Sequence, residues 1–174
     1  MNRAKRAHPS ADVFAESRCG TDKRATMITY RNLNLVDAIS VYEREKEIFG
    51  KQAWTLGQIK EELSGARRLY VGAFDGESFV GYAGIAHNGE SADIHNVAVI
   101  EDYRRQGIAR RLIARIERWA SDQGAKKALL EMRVGNIEAL PLYQSLGYHE
   151  ISRRKDYYGP GLDAIVMSKE FLHE

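Results

Sequence analysis

Hydrophobic residues recur every three or four positions in four stretches of the chain, and this period predicts four amphipathic helices. The predicted helices cover residues 35–49, 55–65, 108–123 and 136–146. Asn34 and Thr55 are suitable N-caps for the first two helices, and a glycine stands at or just after the end of each of the four. The start and stop signals therefore agree with the periodicity.

Two of these helices have a clearly defined apolar face. In the helix that starts at residue 108, the residues on that face are Ile108, Ala109, Leu112, Ile113, Ile116, Trp119 and Ala120. In the first helix, the residues predicted to face the core are Leu35, Ala38, Ile39, Tyr42 and Ile48.

Seven shorter stretches are rich in β-branched and aromatic residues, which predicts strands. They are residues 27–33, 69–74, 79–86, 92–100, 128–134, 148–154 and 164–168. Asp75-Gly76 is a strong hairpin signal between the second and third strands, and the fourth completes an antiparallel meander. The resulting order, β-α-α-β-β-β-α-β-α-β-β, predicts one mixed α/β domain.

Residues 1–26 differ from the rest of the 174-residue chain, because they show neither helical nor strand periodicity. They carry six basic and three acidic residues, so they hold +3 of charge while residues 27–174 hold −1 of the total +2. We interpret 1–26 as a flexible basic tail and 27–174 as the folded domain. The strand that follows Met27 leaves open that the tail is an alternative-start extension.

The composition also bears on the cellular location. The single cysteine, Cys19, cannot pair within the chain, which fits a reducing compartment. No apolar run approaches the ~20 residues of a membrane span, and no signal-peptide core follows the basic start. We therefore expect a cytoplasmic protein that binds no membrane and no nucleic acid, since the charge of the tail is a weak phosphate-binding signal.

The chain lacks the sequence motifs of phosphate-binding loops, dinucleotide folds and zinc proteases, and no metal site is expected. Its most unusual segment is Arg104-Arg105-Gln106-Gly107-Ile108-Ala109-Arg110, between a strand and the longest helix. Gly107 permits a close ligand approach, and the free N–H groups of a helix start attract anions. The arginines favour a diphosphate, although they could instead solvate the outer helix face.

Residues 96–112 resemble the acetyl-coenzyme A motif of the GCN5-related N-acetyltransferase (GNAT) superfamily, Arg/Gln-x-x-Gly-x-Gly/Ala. Arg104, Gly107 and Ala109 match it, and the order of elements over residues 27–168 agrees. The resemblance implies a mostly antiparallel sheet of about seven strands with four flanking helices. It also implies an acetyl-coenzyme A site formed by Val97, Ala98, Val99, Arg104, Arg105, Gln106, Gly107, Ile108, Ala109, Arg110 and Asn136.

The resemblance implies that the backbone N–H groups of residues 105–110 of this chain hold the pyrophosphate of coenzyme A. The strand at residues 97–99 pairs with the pantetheine arm, which enters where two neighbouring strands splay apart. Both points come from the resemblance.

A narrower resemblance covers residues 130–148, 153–158 and 163–167, which are similar to the ribosomal-protein-alanine N-acetyltransferases. Met132 and Gly135 are mild departures from the pattern of that subgroup. The resemblance implies that Glu131 is the general base and Tyr143 the general acid. The implied acceptor is the N-terminal α-amine of a protein, an alanine of a small-subunit ribosomal protein.

Both residue types suit amine acetylation. An α-amine with a pKa near 7.7–8.0 is mostly protonated at neutral pH, so a carboxylate must remove its proton, and a phenol can protonate the departing thiolate. On spacing alone, Glu131 is more often a solvent-facing residue or a partner of Arg133, and Tyr143 a core aromatic. His95 and His149 are further candidates for bases, although structural histidines are more common.

The remaining expectations concern the acceptor. Trp54, Tyr157 and Tyr158 are candidates for the peptide groove, although aromatic residues near loops often only cover a core. Direct transfer in a ternary complex is expected, because Cys19 lies in the tail and no Ser or Cys stands beside a base. Other possibilities are a lysine side chain, a polyamine or an aminoglycoside as acceptor, or a non-catalytic coenzyme A-binding or ribosome-associated module.

Overall fold

The computed structural model describes residues 27–171, so the tail predicted over 1–26 lies outside the described residues. The order of strands and helices is the predicted one. The strands are β1 (Ile28–Asn32), β2 (Arg68–Asp75), β3 (Ser78–Asn88), β4 (Ser91–Val99), β5 (Lys127–Arg133), β6 (His149–Arg154) and β7 (Ala164–Glu170). The helices are α1 (Ala38–Phe49), α2 (Leu56–Ser64), α3 (Ile108–Asp122) and α4 (Ala139–Ser145).

The seven strands form one sheet in the order β1-β2-β3-β4-β5-β7-β6. Every neighbouring pair is antiparallel except β4 and β5, which run parallel. The paired residues of β4 and β5 extend only from Ser91–Lys127 to Asp93–Leu129. Beyond Asp93 the two strands diverge, and the sheet opens at its centre.

Helices cover both faces of the sheet and define two parts of the core. On one face, the predicted apolar stripe of α3 is fully buried at Leu112, Ile113, Ile116 and Ala120. On the other face, α1 and α2 pack through residues such as Val41 and Ile59. Fully burying one large apolar side chain contributes roughly 1.5–3 kcal/mol, so these two layers hold the sheet between them.

The buried face of α1 agrees with the predicted one only in part: Ala38, Tyr42 and Ile48 pack in the core as predicted. Leu35 and Ile39 are 51% and 62% exposed, whereas the row that faces the sheet is Ala38, Val41 and Glu45. Residues 35–37 form a separate 3-10 turn capped by Asn34, so they are not part of the α-helical face. The inward row contains a carboxylate, which a search for apolar periodicity cannot assign to the core.

A β-bulge in β4 faces the opening in the sheet. The register with β3 changes from Gly84–Asn96 to Ile85–Ile94, so His95 is the extra residue of β4. Its side chain and that of Asn96 both reach the α1/α2 face, where they contact Glu62 and Glu45. The bulge therefore brings two adjacent polar side chains to one side of the strand.

Gly84 lies opposite this bulge, and the ring of Tyr70 fills the space beside it. A Cβ added at Gly84 would overlap the Tyr70 ring, so only glycine fits there. The Tyr70 hydroxyl in turn donates to Glu62 at 2.8 Å, on the carboxylate that contacts His95. Close backbone packing at Gly84 is thus coupled to the polar groups next to the opening.

In residues 27–171, no helix has the length and apolar character needed to cross a bilayer.

We expect Gly84→Ala to lower the free energy of unfolding by about 1–3 kcal/mol, because the new methyl group must displace the buried Tyr70 ring. Gly57→Ala is the matched control, since Gly57 is an exposed residue of α2 and its nearest neighbouring atom lies 3.9 Å from an added Cβ. That change should stabilise by about 0.5–1 kcal/mol. Urea unfolding measures both, and a Gly84→Ala protein as stable as wild type would contradict the packing described.

Candidate functional site

A cavity of about 350 Å³ lies between β4, the start of α3 and α4. It is lined by every residue of the sequence-predicted coenzyme A site except Gln106 and Asn136. The lining includes Val97, Ala98, Val99, Arg104, Arg105, Gly107, Ile108, Ala109 and Arg110, with Pro141, Leu142 and Tyr143 from α4. Gln106 points elsewhere, because its side-chain amide donates to the Asp102 carbonyl at 3.1 Å.

The start of α3 opens into this cavity. Gly107 is the N-cap in a left-handed conformation (φ 77°) and has no side chain to cap the helix. Arg105 also has a positive φ of 60°, so the loop turns sharply just before the helix. The N–H groups of the first turn, residues 108–110, have no intrahelical acceptor. They present the donors that a bound anion requires.

Two arginines, Arg104 of the loop and Arg110 of the first turn of α3, contact the walls of the cavity. Arg104 Nε donates to the Val99 carbonyl at 3.0 Å, where β4 ends. Arg110 Nη2 donates to Ser145 Oγ at 2.7 Å and so links α3 to the end of α4. These arginines therefore do more than solvate the outer face of α3, which was the alternative interpretation of the sequence.

A second cavity, of about 30 Å³, occupies the opening between β4 and β5. Its walls come from residues 94–97 of β4, residues 130–132 of β5, α4 with the loop before it, and Phe49 at the end of α1. It shares Val97, Ala139 and Tyr143 with the larger cavity. The two cavities therefore adjoin beside Tyr143.

Glu131 lines the small cavity from β5. Its neighbours Leu130 and Met132 point into the core, so strand alternation turns Glu131 to the opposite face, where its side chain is 27% exposed. Its carboxylate lies 3.2 Å from Nη1 of Arg154 on β6. The ion pair holds the carboxylate at the edge of the cavity.

Tyr143 reaches the meeting point of the two cavities from α4 and is 8% exposed. Burial raises the pKa of its phenol well above the ordinary value, so the hydroxyl is protonated throughout the neutral range. Its ring packs edge to face on Tyr148, with centroids 5.6 Å apart. Tyr148 donates to Glu117 at 2.7 Å, and Lys169 donates to the same carboxylate at 2.6 Å. This network fixes the ring behind Tyr143.

Asn136 lies at the entrance to α4. Its Oδ1 accepts from the Ala139 N–H at 3.0 Å, and the regular helix begins at Ala139 rather than at the predicted residue 136. Residues 137–138 form a turn, and the Leu140 N–H donates to the Asn136 carbonyl at 3.2 Å, so Asn136 accepts two N–H groups at the start of α4. Asn136 is 7% exposed and lines the small cavity with Glu131.

The predicted aromatic residues occupy other positions around the site. Trp54 packs against the α1/α2 part of the core and lines neither cavity, whereas Phe49 lines the small one. Tyr157 and Tyr158 pack edge to face in the β6–β7 loop, with centroids 5.0 Å apart. The Arg154 guanidinium lies 5.3 Å from the Tyr157 ring centroid, so Arg154 connects this loop to Glu131.

His95 and Glu62 form a polar pair that the sequence could not show, because 33 positions separate them. His95 Nδ1 lies 3.1 Å from the Glu62 carboxylate. The same carboxylate accepts a hydrogen bond from the Tyr70 hydroxyl and lies 2.9 Å from Nη1 of Arg68. Burial alone would raise the pKa of Glu62, but these three partners outweigh it and lower that pKa. Glu62 is therefore an ionised partner of His95, while His149 lies exposed on β6.

Glu45 is a second buried carboxylate missed by sequence reasoning, which places a helical glutamate in solvent. It is 0% exposed and accepts from the Tyr82 hydroxyl, from Asn96 at 2.8 Å and from the Trp54 backbone N–H at 3.1 Å. These contacts tie α1 to β3, to the bulged strand β4 and to the connection before α2. Glu45 thus fixes one wall of the site without lining either of the two cavities described.

The chain is similar to known proteins in sequence and in fold. The family model described as the acetyltransferase (GNAT) family matches residues 30–148. The chain is 33% identical over 149 residues to N-alpha-acetyltransferase RimI of Mycobacterium tuberculosis, covering 82% of this chain and 92% of that protein. It is equally similar to an uncharacterised Mycobacterium leprae protein, of whose length it spans only 41%.

Solved structures share the fold. The ribosomal-protein-S18-alanine N-acetyltransferase of Escherichia coli superposes with a TM-score of 0.77 at 27% identity, over 85% of this chain and 96% of that one. An aminoglycoside 6′-N-acetyltransferase complexed with coenzyme A gives 0.76 at 16% identity, over 84% and 98%, which shows the fold alone. With a family model over most of its length and a relative that it matches almost from end to end, the chain belongs to the GNAT family of acetyltransferases.

Proposed function

We propose that this acetyltransferase moves the acetyl group of acetyl-coenzyme A to the N-terminal α-amine of a protein, with an N-terminal alanine of a small-subunit ribosomal protein as acceptor. The observation that carries the proposal is the junction of the two cavities at Tyr143, with Glu131 on the wall of the smaller one. The names of the relatives supply the acceptor class. The cytoplasm is the compartment that we expect for such an acceptor.

The larger cavity binds acetyl-coenzyme A in this proposal. The first-turn N–H groups of α3 hold the pyrophosphate, and the arginines at its mouth add positive charge. The pantetheine arm lies along residues 97–99 of β4. At these residues β4 has separated from β5, and the backbone groups of β4 face the opening. The thioester then lies next to Tyr143, and Asn136 contacts it from the start of α4.

The smaller cavity receives the acceptor nitrogen. Glu131 removes a proton from the ammonium group, and the free amine attacks the thioester carbonyl to give a tetrahedral intermediate. When the C–S bond breaks, Tyr143 donates its proton to the thiolate. The high pKa of the buried phenol keeps it protonated for this step. Transfer is direct, and both substrates are bound together.

A non-catalytic role would leave the site chemistry unexplained, since a binding module requires neither a carboxylate nor a phenol where two cavities meet. Other GNAT acceptors differ from an α-amine in how readily Glu131 can deprotonate them. A lysine amine, with a pKa near 10.4, is harder to deprotonate than an α-amine and requires a stronger base. The choice between acceptors is decided by experiment.

The acceptor assignment predicts activity confined to free N-termini. The protein is incubated with acetyl-coenzyme A and short peptides that differ in their first residue, together with free lysine, spermidine and an aminoglycoside, and thiol release is followed. We expect the alanine-first peptide to react fastest. Its N-acetylated form, which retains an internal lysine, is the matched control and should release no thiol. Activity on the small amines alone would refute the assignment.

The base assignment predicts a specific pH profile for Glu131→Gln. Near pH 6 almost all of the acceptor is ammonium, so loss of the carboxylate should lower kcat/KM by about 100-fold. Near pH 9 most of the amine is already free, and the loss should shrink to a few-fold. Full activity of the variant across pH 6–9 would show that another group is the base.

A further inference from the structure

His95 is a titratable group on the wall of the small cavity to which the proposed reaction assigns no role. His95 lies on β4 and Glu131 on β5, so they line the cavity from the two strands that diverge around it. The cavity measures about 30 Å³, close to the volume of one water molecule. A nitrogen atom placed there lies close to both side chains.

Glu62 determines which ring nitrogen of His95 is available. An ionised carboxylate only accepts hydrogen bonds, so the 3.1 Å contact places the ring proton on Nδ1. Tyr70 and Arg68 hold the carboxylate through contacts of 2.8 and 2.9 Å. The neutral ring therefore has its lone pair on Nε2, in a tautomer fixed by the carboxylate partner.

Acetylation of an ammonium group removes two protons from the nitrogen. The first leaves before the attack, because a protonated amine has no lone pair. The second leaves after the N–C bond has formed, when the nitrogen carries a positive charge. The proposed mechanism assigns the first proton to Glu131 and leaves the second without an acceptor.

We propose that Nε2 of His95 takes this second proton, and that Glu62 is the positioning residue that orients the ring and stabilises the imidazolium. This inference rests on the proposed acetyl transfer, although it does not depend on which amine is the acceptor. It assigns one acceptor in the cavity to each of the two protons.

The protons balance over one turnover. The proton taken by Glu131 passes to solvent. The proton of Tyr143 goes to the thiolate as the C–S bond breaks, and the imidazolium of His95 returns a proton to the phenolate through the cavity. The products are the amide, the thiol of coenzyme A and one released proton.

Charged and titratable groups of several elements surround His95. The groups that face it or its contacts are Glu62 of α2, Arg68 and Tyr70 of β2, Glu131 of β5, Tyr143 of α4, and Glu45 of α1 behind Asn96. Of these, Glu62 makes the direct contact with the ring. Removing Glu62 should therefore weaken the function of His95 without removing the imidazole.

The test compares kcat/KM for thiol release at two pH values, with whichever amine of the acceptor panel the wild type uses. At about pH 8.5, His95→Gln and His95→Ala should lose about 100-fold and Glu62→Gln about 10-fold. At about pH 5.5 almost all of the acceptor is ammonium, so removal of the first proton limits the rate, and the His95 variants should stay within about threefold of wild type. This pH dependence of the loss is the reverse of that expected for Glu131→Gln.

Two controls separate chemistry from structure. Imidazole added to the buffer should restore activity to His95→Ala by about 10-fold at the higher pH, since the replaced side chain is 22% exposed and its space is accessible. His149→Gln, at the exposed histidine of β6, should match wild type at both pH values. Acetyl-coenzyme A binding, measured by titration, should be unchanged in every variant.

Equal losses at both pH values, no loss at the higher pH, or a His95→Ala protein that imidazole does not restore would each overturn the role of His95. If the wild type acetylates peptide N-termini while the His95 variants are unaffected, this inference fails and the proposed function stands. If the wild type acetylates only small amines while the variants lose activity at high pH, the acceptor assignment fails and the role of His95 stands. A wild type inactive on every amine would refute both.

Discussion

β4 and β5 hydrogen-bond as parallel strands over only three residue pairs, from Ser91–Lys127 to Asp93–Leu129, before they diverge. A sheet that separates at its centre leaves backbone donors and acceptors without strand partners, and groups of that kind require other partners when buried. The separation also creates the small cavity, since residues 94–97 and 130–132 form its opposing walls. The positions of Glu131, His95 and Tyr143 all depend on this gap.

Buried polar contacts hold the strands and helices in place around the gap. Glu45 accepts hydrogen bonds from β3, from β4 and from the chain before α2. Glu62 accepts hydrogen bonds from His95 and from Tyr70 of β2. A buried carboxylate is costly unless several donors satisfy it, so each network stabilises one specific arrangement. On the other side, Glu117 fixes Tyr148 and thereby the ring of Tyr143. The chemical groups are thus supported from both faces of the sheet.

The sequence predicted the order of the strands and helices because hydrophobic periodicity, caps and hairpin signals are local. The Asn34 and Thr55 caps and the buried stripe of α3 were confirmed on that basis. The face of α1 was predicted correctly at Ala38, Tyr42 and Ile48 and wrongly at Leu35 and Ile39. The inward row includes Glu45, and residues 35–37 form a separate turn. Local patterns identify apolar surfaces and cannot identify a carboxylate whose partners lie elsewhere in the chain.

The same reasoning explains what could be predicted of the site. The glycine and arginines before α3 form a contiguous motif that is visible in the sequence, and they line the larger cavity. Glu131 forms an ion pair with Arg154, a partner that spacing did not suggest, and the His95–Glu62 pair also joins distant segments. Contacts of this kind follow from the sheet order and from the bulge in β4. Neither feature has a signal in the sequence.

Amide hydrogen exchange with and without acetyl-coenzyme A tests the central claim most directly, because it reports where the ligand lies without requiring an acceptor. The free N–H groups at the start of α3, residues 108–110, should exchange fast in the free protein, since they have no helical acceptor. Saturating ligand should slow exchange there and at residues 97–99, while β1 and β2 stay unchanged. Slowed exchange elsewhere, with residues 97–99 and 108–110 unaffected, would contradict the placement of acetyl-coenzyme A between the diverging strands and the start of α3.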